Sequence, residues 1–259
     1  MADLFENEAP APSSTAPAEP REDAPLADRL RPRTLSEVVG QEHLTGPEGS
    51  IGRMVAAGRL SSMILWGPPG TGKTTIARLL ADSVGMRYAA VSAVFSGVAD
   101  LKKAFAEAET AAKARQKTLL FVDEIHRFNR AQQDGFLPFV ERGTVTLVGA
   151  TTENPSFALN AALLSRAQVL ILQRLDHDAL GQLLDRGETL EGPLPLTPEA
   201  RDALVASADG DGRFLLNQAE TLYNAKIGEP LDPARLGAFL QRRVAVYDKD
   251  REGHYNLIS

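Results

Sequence analysis

Short apolar runs alternate along this chain with longer segments whose apolar residues recur at helical spacing. Runs that are apolar on successive residues are typical of strands buried on both faces of a parallel sheet. Such runs predict strands over residues 63–66, 88–91, 119–122, 145–149 and 169–172. The pattern therefore predicts an α/β fold, in which crossover helices cover a five-stranded, doubly wound parallel sheet.

Helical spacing predicts helices between these strands, over residues 74–84, 101–115 and 132–142. After residue 174 the strand pattern stops, and helices are predicted over residues 179–186, 198–208, 213–224 and 232–242. Thr197 and Asp232 are predicted N-caps, because each precedes a proline that suits the first helical position. We therefore expect a sheet domain over residues 26–174 and a small all-helical lid domain over residues 175–245.

The composition of the N-terminus differs from that of the rest of the chain. Residues 1–25 contain five prolines, six acidic residues and one arginine, and they carry most of the net charge of -6. Their few large apolar groups cannot offset the entropy of ordering, which predicts a disordered tail. The remainder is nearly neutral, which argues against a uniformly basic DNA-coating protein but is compatible with a local basic patch.

The absence of cysteine narrows the chemistry. It excludes disulfides, a thiolate nucleophile and cysteine-ligated metal sites, and it is typical of a reducing compartment. No apolar run approaches the roughly 20 residues that span a bilayer, and the acidic, proline-rich N-terminus lacks the pattern of a secretory signal. These features predict a cytoplasmic protein without membrane attachment.

Residues 67–74 match the pattern G-x-x-x-x-G-K-[ST] between a predicted strand and a predicted helix. The glycines let backbone N–H groups turn toward phosphate oxygens, and the N-terminus of the following helix favours an anion. Lys73 is expected to reach the β and γ phosphates of a nucleotide, and Thr74 to supply a hydroxyl to Mg²⁺. The predicted phosphate-binding residues are Gly67, Pro68, Pro69, Gly70, Thr71, Gly72, Lys73, Thr74 and Thr75.

The predicted strand over residues 119–122 ends in two carboxylates, Asp123 and Glu124. Asp123 is placed to hold Mg²⁺ through its water shell, and Glu124 to polarise an attacking water. A carboxylate pair that ends a strand is weak evidence by itself, but it accompanies a phosphate-binding loop here. The pair therefore favours nucleotide hydrolysis over simple nucleotide binding.

Further polar residues fall at predicted strand or helix ends. Thr151 or Thr152, after the fourth strand, could orient the attacking water, or these threonines could only end the strand and cap the next turn. Arg166 and Arg213 could each stabilise charge on the γ phosphate, from the same chain or from a neighbouring one. Either could instead be a surface arginine, as most of the 21 arginines of the chain must be.

The order of these motifs resembles the AAA+ ATPase family: Walker A at residues 67–74, Walker B at 119–124, sensor 1 near Thr151, an arginine finger at Arg166 and sensor 2 at Arg213. Residues 26–32 and 38–41 are similar to the segment that packs on adenine in the clamp-loader and Holliday-junction-helicase branch, where Val39 and Gly40 would contact the base. Residues 123–134 and 149–157 resemble, more narrowly, the replication-associated recombination protein A family and its eukaryotic Werner-helicase-interacting relatives. The resemblance covers about residues 26–259.

This resemblance implies a DNA-dependent ATPase that hydrolyses ATP to ADP and phosphate in replication-fork maintenance, DNA repair and recombination. It implies that Thr151 positions the water, that Arg213 senses the γ phosphate from the lid, and that Arg166 completes the site of an adjacent subunit. The implied partners are DNA forks, gaps or duplex ends, single-stranded DNA-binding protein and further copies of the chain, in a nucleoid-associated cytoplasmic location. Family members continue into a helical domain that builds a tetramer, so residues 246–259 are predicted to begin a truncated oligomerisation region.

Two other functions fit the same nucleotide-binding residues. One is another AAA+ motor on DNA, a clamp-loader or branch-migration subunit, and the other is a regulatory scaffold that nucleotide only switches. Arg127 and Arg130 could touch DNA phosphates or be solvated surface residues. His126 is interpreted as a packing histidine, because no metal-ligand spacing links it to another histidine.

Overall fold

The computed structural model describes residues 23–241; the rest of the predicted tail, the end of the lid and the predicted oligomerisation region lie outside this range. The strands form one parallel sheet in the order β2-β3-β4-β1-β5. They are β1 (Met63–Trp66), β2 (Arg87–Ser92), β3 (Thr118–Asp123), β4 (Val145–Thr151) and β5 (Gln168–Ile171). Every predicted strand is confirmed, with bounds that shift by one or two residues at most.

Helices connect the strands and cover both faces of the sheet. They are α1 (Leu26–Arg29), α2 (Glu42–Thr45), α3 (Ser50–Ala56), α4 (Lys73–Ser83), α5 (Val98–Lys113), α6 (Arg130–Asp134), α7 (Leu137–Glu141), α8 (Pro155–Ala158) and α9 (Ala161–Leu164). Leu65 of β1 lies in one buried cluster with Ile76 of α4, whereas the adjacent Ile64 lies in another with Phe105 of α5. Because adjacent strand residues point to opposite faces, burial on both sides explains the continuous apolar runs and confirms the doubly wound α/β fold.

The last strand departs from that expectation. β5 is an edge strand that pairs with β1 alone, and Val169 and Ile171 on one of its faces are exposed, whereas Leu170 is buried. The prediction that all five strands are buried on both faces therefore fails at both edges of the sheet: Ala90 of β2 is exposed, and β5 has one exposed face. Its position at the edge of the sheet leaves one face without a covering helix.

The helix predicted over residues 132–142 is divided into α6 and α7. Pro138 lies at the start of α7 and has no N–H with which to continue the hydrogen bonds of α6. Phe136, between the two helices, is fully buried, and Phe139 stacks on Phe105 of α5 with 3.9 Å between ring centroids. The break therefore turns two aromatic side chains into the core beneath α5.

The lid domain follows β5 and is helical. Its helices are α10 (His177–Glu191), α11 (Pro198–Ser207), α12 (Gly212–Tyr223) and α13 (residues 233–241). The side chain of Thr197 accepts a hydrogen bond from Ala200 N and that of Asp232 from Arg235 N, so both predicted N-caps are confirmed. Across the described part of the chain, no helix is both long and apolar enough to cross a membrane.

Residues 26–41, here called the strap, were predicted to belong to the sheet domain, but much of the strap packs on the lid. Leu26 is buried in the lid cluster, and its N–H donates to Glu220 Oε1 of α12 at 2.9 Å. Arg29 pairs with Glu191 of α10, and Arg186 donates to the carbonyl of Glu37 at 2.7 Å. The strap is therefore fastened to the lid at its start and at Glu37, whereas Leu35 and Val38 pack on the sheet domain.

One buried amide fastens the other end of the strap to the sheet domain. Gln41 is fully buried; its Nε2 donates to the carbonyl of Gln173 at 2.8 Å, and its Oε1 accepts from Gln173 N at 3.1 Å. Gln173 lies in the segment that joins β5 to the lid. This paired hydrogen bond therefore ties the strap to the crossing point between the two domains.

We expect Gln41→Ala to lower the free energy of unfolding by about 2 kcal/mol, because it leaves two backbone groups without their partner inside the fold. Gln116→Ala is the matched control: Gln116 is exposed, so its loss is expected to stay within about 0.5 kcal/mol. Denaturant unfolding of both variants measures the difference. Equal stabilities of the two variants would contradict the role of Gln41.

Candidate functional site

A cavity of about 430 Å³ lies between the carboxyl edge of the sheet and the lid. Its walls come from the strap, from residues 69–75 and from the first turn of α12, and Asp123, Glu124 and Thr152 complete it at the sheet edge. A volume of this size is typical of sites that bind a small molecule. Most of the residues predicted for nucleotide chemistry therefore meet in one place.

The phosphate-binding loop has the backbone that its glycines predict. Gly70 and Gly72 have φ of 69° and 93°, in the left-handed region that glycine adopts without strain, and Gly72 precedes the first residue of α4. Lys73 Nζ donates to the carbonyls of Gly67 at 2.8 Å and Pro68 at 2.7 Å. Gly67 and Pro68 thus lie behind the loop and orient Lys73 rather than line the cavity.

Electrostatics at Lys73 reflect its burial. Burial lowers the pKa of the Lys73 ammonium, while the carboxylates of Glu124 and Asp123 oppose this effect and Arg213 adds to it. An ammonium with little water around it interacts more strongly with an anion than an exposed one does. The loop therefore presents a partly desolvated positive charge to the cavity.

The two carboxylates that end β3 both line the cavity. Glu124 has φ 50° and ψ 46°, an unusual left-handed backbone for a residue with a side chain. This turn ends the strand and begins the 3₁₀ helix Ile125–Arg127, where Arg127 N donates to the carbonyl of Glu124 at 2.9 Å. The strained turn directs the Glu124 side chain toward the cavity, beside Asp123 and Thr74.

Thr151, the last residue of β4, and Thr152, which follows it, have different surroundings. Thr151 is fully buried, and its Oγ1 lies 2.9 Å from His126 Nδ1. Thr152 is exposed and lines the cavity. The structure thus places Thr152 at the cavity. The residues alone left Thr151 or Thr152 open for the water-positioning role, and the family resemblance implied Thr151.

The lid reaches the cavity through the first turn of α12. Arg213 lines the cavity, and its side chain makes no hydrogen bond or ion pair with any described residue. Asp211 caps the helix by accepting from Phe214 N at 2.9 Å. A side chain added at Gly70 would overlap the Asp211 carboxylate, so the lid and the phosphate-binding loop touch directly. Arg213 is thereby held opposite Lys73.

The strap forms the apolar end of the cavity. Val38 is buried in a cluster with the sheet domain, whereas the neighbouring Val39 packs on the lid cluster, and both line the cavity. Gly40 does not line it; with φ 73°, it packs so closely on the lid that a Cβ would lie 2.7 Å from Leu175 Cδ2. Of the two residues predicted to contact a base, Val39 therefore lines the cavity, and Gly40 packs behind it on the lid.

Arg166 lies outside this cavity. Its guanidinium pairs with Glu141 at 2.6 Å and donates to the carbonyl of Ala162 at 2.8 Å. The side chain remains 38% exposed. The structure thus does not bring Arg166 to the site of its own chain.

Other residues at the site were not predicted. Arg31 lines the cavity, lies 3.4 Å from Thr75 Oγ1 and pairs with Asp28. Asn217, one turn after Arg213 on α12, also lines it. His126, interpreted from sequence as a packing histidine, contacts Glu124 and Thr151. Only the strap carried a sequence signal, through its resemblance to an adenine-binding segment.

Two family models match the chain. The model described as the ATPase family associated with various cellular activities (AAA) matches residues 63–175, which include the strands and the phosphate-binding loop. The model described as the AAA C-terminal domain matches residues 190–259, which include most of the lid. The two matches follow the division between the sheet domain and the lid.

Curated proteins resemble the chain over most of its length. Replication-associated recombination protein A of Coxiella burnetii is 45% identical over 91% of this chain and 55% of its own length. A Dictyostelium discoideum protein named ATPase WRNIP1 is 38% identical over 91% of this chain and 30% of its own length. The chain thus spans about half the length of the first relative and less of the second.

A solved structure resembles the fold. The RuvB Holliday junction branch migration motor of Thermotoga maritima superposes with a TM-score of 0.64 over 82% of this chain and 72% of that chain. The sequence identity is 24%, so this likeness bears on the fold alone. It agrees with the five-stranded sheet and helical lid described above.

We expect Gly70→Ala to weaken ATP binding at least about tenfold, because the new methyl group would displace Asp211 and the first turn of α12. Gly143→Ala is the matched control: Gly143 has nearly the same φ, 68°, but nothing lies within 4 Å of an added Cβ. Both variants are expected to lose about 1 kcal/mol of stability through left-handed strain. Titration with a fluorescent ATP analogue and denaturant unfolding separate the two effects; unchanged ATP affinity in Gly70→Ala would contradict the loop–lid contact.

Proposed function

Because the chain belongs to the AAA ATPase family, in the group of the replication-associated recombination protein A relatives, we propose that it binds ATP with Mg²⁺ between the sheet and the lid and hydrolyses it to ADP and phosphate. One observation carries this proposal. A single cavity combines the phosphate-binding loop, both carboxylates that end β3, and Arg213 from the lid. Binding alone would not require Glu124 at that position.

Binding follows from the walls of the cavity. The adenine base would lie at the apolar end, against Val39 and the lid side chain of Leu216, and the phosphates would lie in the loop beside Lys73. Thr74 and Asp123 offer the hard oxygen ligands that Mg²⁺ prefers. Bound Mg²⁺ would neutralise charge on the phosphates during transfer.

Hydrolysis is assigned to the residues at the sheet edge. Glu124 would act as the general base that polarises the attacking water. Thr152, which lines the cavity, takes the water-positioning role that the family resemblance implied for Thr151. Arg213 would contact the γ phosphate and so make the position of the lid depend on whether that phosphate is present.

Arg166 is proposed to act on the nucleotide of an adjacent subunit. Its distance from the cavity of its own chain and its partial exposure support this assignment. The ion pair with Glu141 holds the guanidinium on the outer surface of the sheet domain. An arginine supplied by a neighbour can stabilise the charge that develops on the transferring phosphate.

DNA is the proposed effector, and one edge of the sheet supports this. The segments after β2, β3 and β4 are neighbours there; they carry Phe95, 89% exposed, then Arg127 and Arg130, then Phe157, 90% exposed. Both arginine side chains are exposed and form no ion pair with a described residue. Aromatic rings that stack on bases and cations that contact phosphates are the means by which proteins bind single strands.

The family resemblance extends this proposal to replication-fork maintenance, DNA repair and recombination. Its DNA substrates would be forks, gaps or duplex ends, and its partners single-stranded DNA-binding protein and further copies of the chain. A nucleoid-associated cytoplasmic location belongs to the same proposal. The clamp-loader, branch-migration and scaffold alternatives share the nucleotide site and differ in what hydrolysis accomplishes.

We expect the chain to hydrolyse ATP, and Glu124→Gln to lower kcat about 10²- to 10⁴-fold while ATP binding persists, because the amide cannot accept the proton. Lys73→Ala should instead abolish binding. The measurement is steady-state ATP turnover with and without forked DNA, together with the mass of the protein in solution. Turnover unaffected by Glu124→Gln would refute the general-base assignment and leave the scaffold alternative in place.

Mixing variants tests Arg166 within that experiment. Arg166→Ala and Lys73→Ala should each be inactive alone, because one lacks the supplied arginine and the other cannot bind ATP. In a mixture, an intact Arg166 would face an intact nucleotide site, and turnover should partly return. No recovery in an assembly that contains both variants would refute action on a neighbour.

We expect the double variant Arg127→Ala, Arg130→Ala to bind single-stranded DNA more weakly and to lower the slope of log K against log salt concentration by about 1 to 2, because two phosphate contacts are lost. Phe95→Ala should weaken binding without changing the slope. Arg59→Ala is the control, since Arg59 is exposed before β1 at the opposite edge of the sheet. Fluorescence anisotropy over a salt series measures the slopes, and equal slopes for the double variant and the control would exclude this surface.

A further inference from the structure

His126 lies directly behind the carboxylate that is proposed to activate water. Its Nδ1 is 3.3 Å from Glu124 Oε2 and 2.9 Å from Thr151 Oγ1, and its Nε2 is 3.3 Å from Glu153 Oε1. The imidazole is 7% exposed, so these neighbours, more than water, determine its orientation. One ring thus contacts the end of β3 and the end of β4.

The backbone fixes this ring in place. His126 is the central residue of the 3₁₀ helix that begins after the left-handed turn at Glu124. Ile125 beside it is fully buried in the core cluster on that face of the sheet. The imidazole therefore has little freedom to move away from β4 without disturbing the core.

The Nδ1–H group of His126 lies near two possible acceptors, Thr151 Oγ1 and Glu124 Oε2. Thr151 Oγ1 already accepts from Glu153 N at 3.0 Å and can donate to the carbonyl of Glu153 at 3.3 Å. It can also accept a hydrogen from His126 Nδ1. Glu124 Oε2 is buried and has no hydrogen-bond partner among the described residues, and the same Nδ1 lies 3.3 Å away. A buried carboxylate oxygen without a donor is costly, so Nδ1–H is the group that can satisfy it.

We propose that His126 is a positioning residue that aims the Glu124 carboxylate and ties it, through Thr151, to the end of β4. This proposal rests on the proposed ATPase function. Thr151 and Thr152 are consecutive, so one contacts His126 while the other faces the cavity. A shift of β4 when Thr152 meets the γ phosphate would therefore move Thr151, the imidazole and the carboxylate together. Glu124 would be correctly aimed only when the phosphate is in place.

Substitutions of His126 can distinguish the role of Nδ1 from that of Nε2. The amide of asparagine can place a donor near Nδ1, whereas the longer glutamine places one near Nε2. We expect His126→Asn to retain most of kcat, and His126→Gln to lose at least about tenfold, with KM for ATP unchanged in both. Thr151→Val should lower kcat in the same way, and Thr151→Ser should restore it. His177→Gln is the control, since His177 is exposed at the start of α10.

A merely structural role predicts a different pattern. Loss of packing would lower stability in His126→Asn and His126→Gln alike and would raise KM as the site deforms. Thermal unfolding of each variant is therefore measured beside its kcat and KM. Equal kcat for the asparagine and glutamine variants, or a kcat of His126→Gln equal to that of the control, would overturn the proposal.

A second measurement does not depend on turnover. The chain has four histidines, so the ring nitrogen resonances of His126 can be assigned by their loss in His126→Asn. We expect Glu124→Gln and Thr151→Val each to shift the Nδ1 resonance of His126 and to leave that of His177 unchanged. An unshifted His126 resonance in both variants would overturn the proposal. If the parent chain hydrolyses no ATP, the proposed function fails, and the resonances still decide whether His126 holds Glu124.

Discussion

The close approach of the phosphate-binding loop to the first turn of α12 is the contact on which the rest of the site depends. Each side of this contact has a glycine where a side chain would not fit. A side chain at Gly70 would overlap Asp211, and a Cβ at Gly212 would lie 3.3 Å from the carbonyl of Gly70 and 2.8 Å from Leu183 Cδ1. The loop therefore packs directly on the first turn of α12, both on its backbone and on the helix-capping carboxylate of Asp211. Because a packed contact of this kind cannot deform gradually, a phosphate that moves the loop must also move the lid.

The strap also connects the sheet domain with the lid, at the other end of the cavity. Val38 packs with the sheet domain and Val39 with the lid, while Gln41 is hydrogen-bonded to the segment that joins the two domains. A base bound against these residues would touch both domains at once. A bound phosphate and a bound base would thus each contact both domains, at opposite ends of the cavity. A small ligand can set the relative position of two domains in this way.

The residues proposed to bind and hydrolyse ATP lie close together because the strands of a parallel sheet all end at the same edge. β1 leads into the phosphate-binding loop, and β3 ends at Asp123, directly before Glu124. β4 ends at the buried Thr151, and Thr152 after it lines the cavity. His126 connects the last two strands behind the cavity. The edge therefore holds a layer of groups that would contact ATP and, behind it, a layer that holds these groups in position.

The sequence by itself determined the five strands, the N-caps at Thr197 and Asp232 and the conformation of the loop around Lys73, because each depends on a few neighbouring residues. Only the tertiary structure decided that β5 has an exposed face, that the strap packs on both domains, and that Thr152 rather than Thr151 reaches the cavity. These outcomes depend on strand order and on contacts between distant residues, such as Gln41 with Gln173. Apolar periodicity records whether a side chain is buried, but it does not record which element covers that side chain.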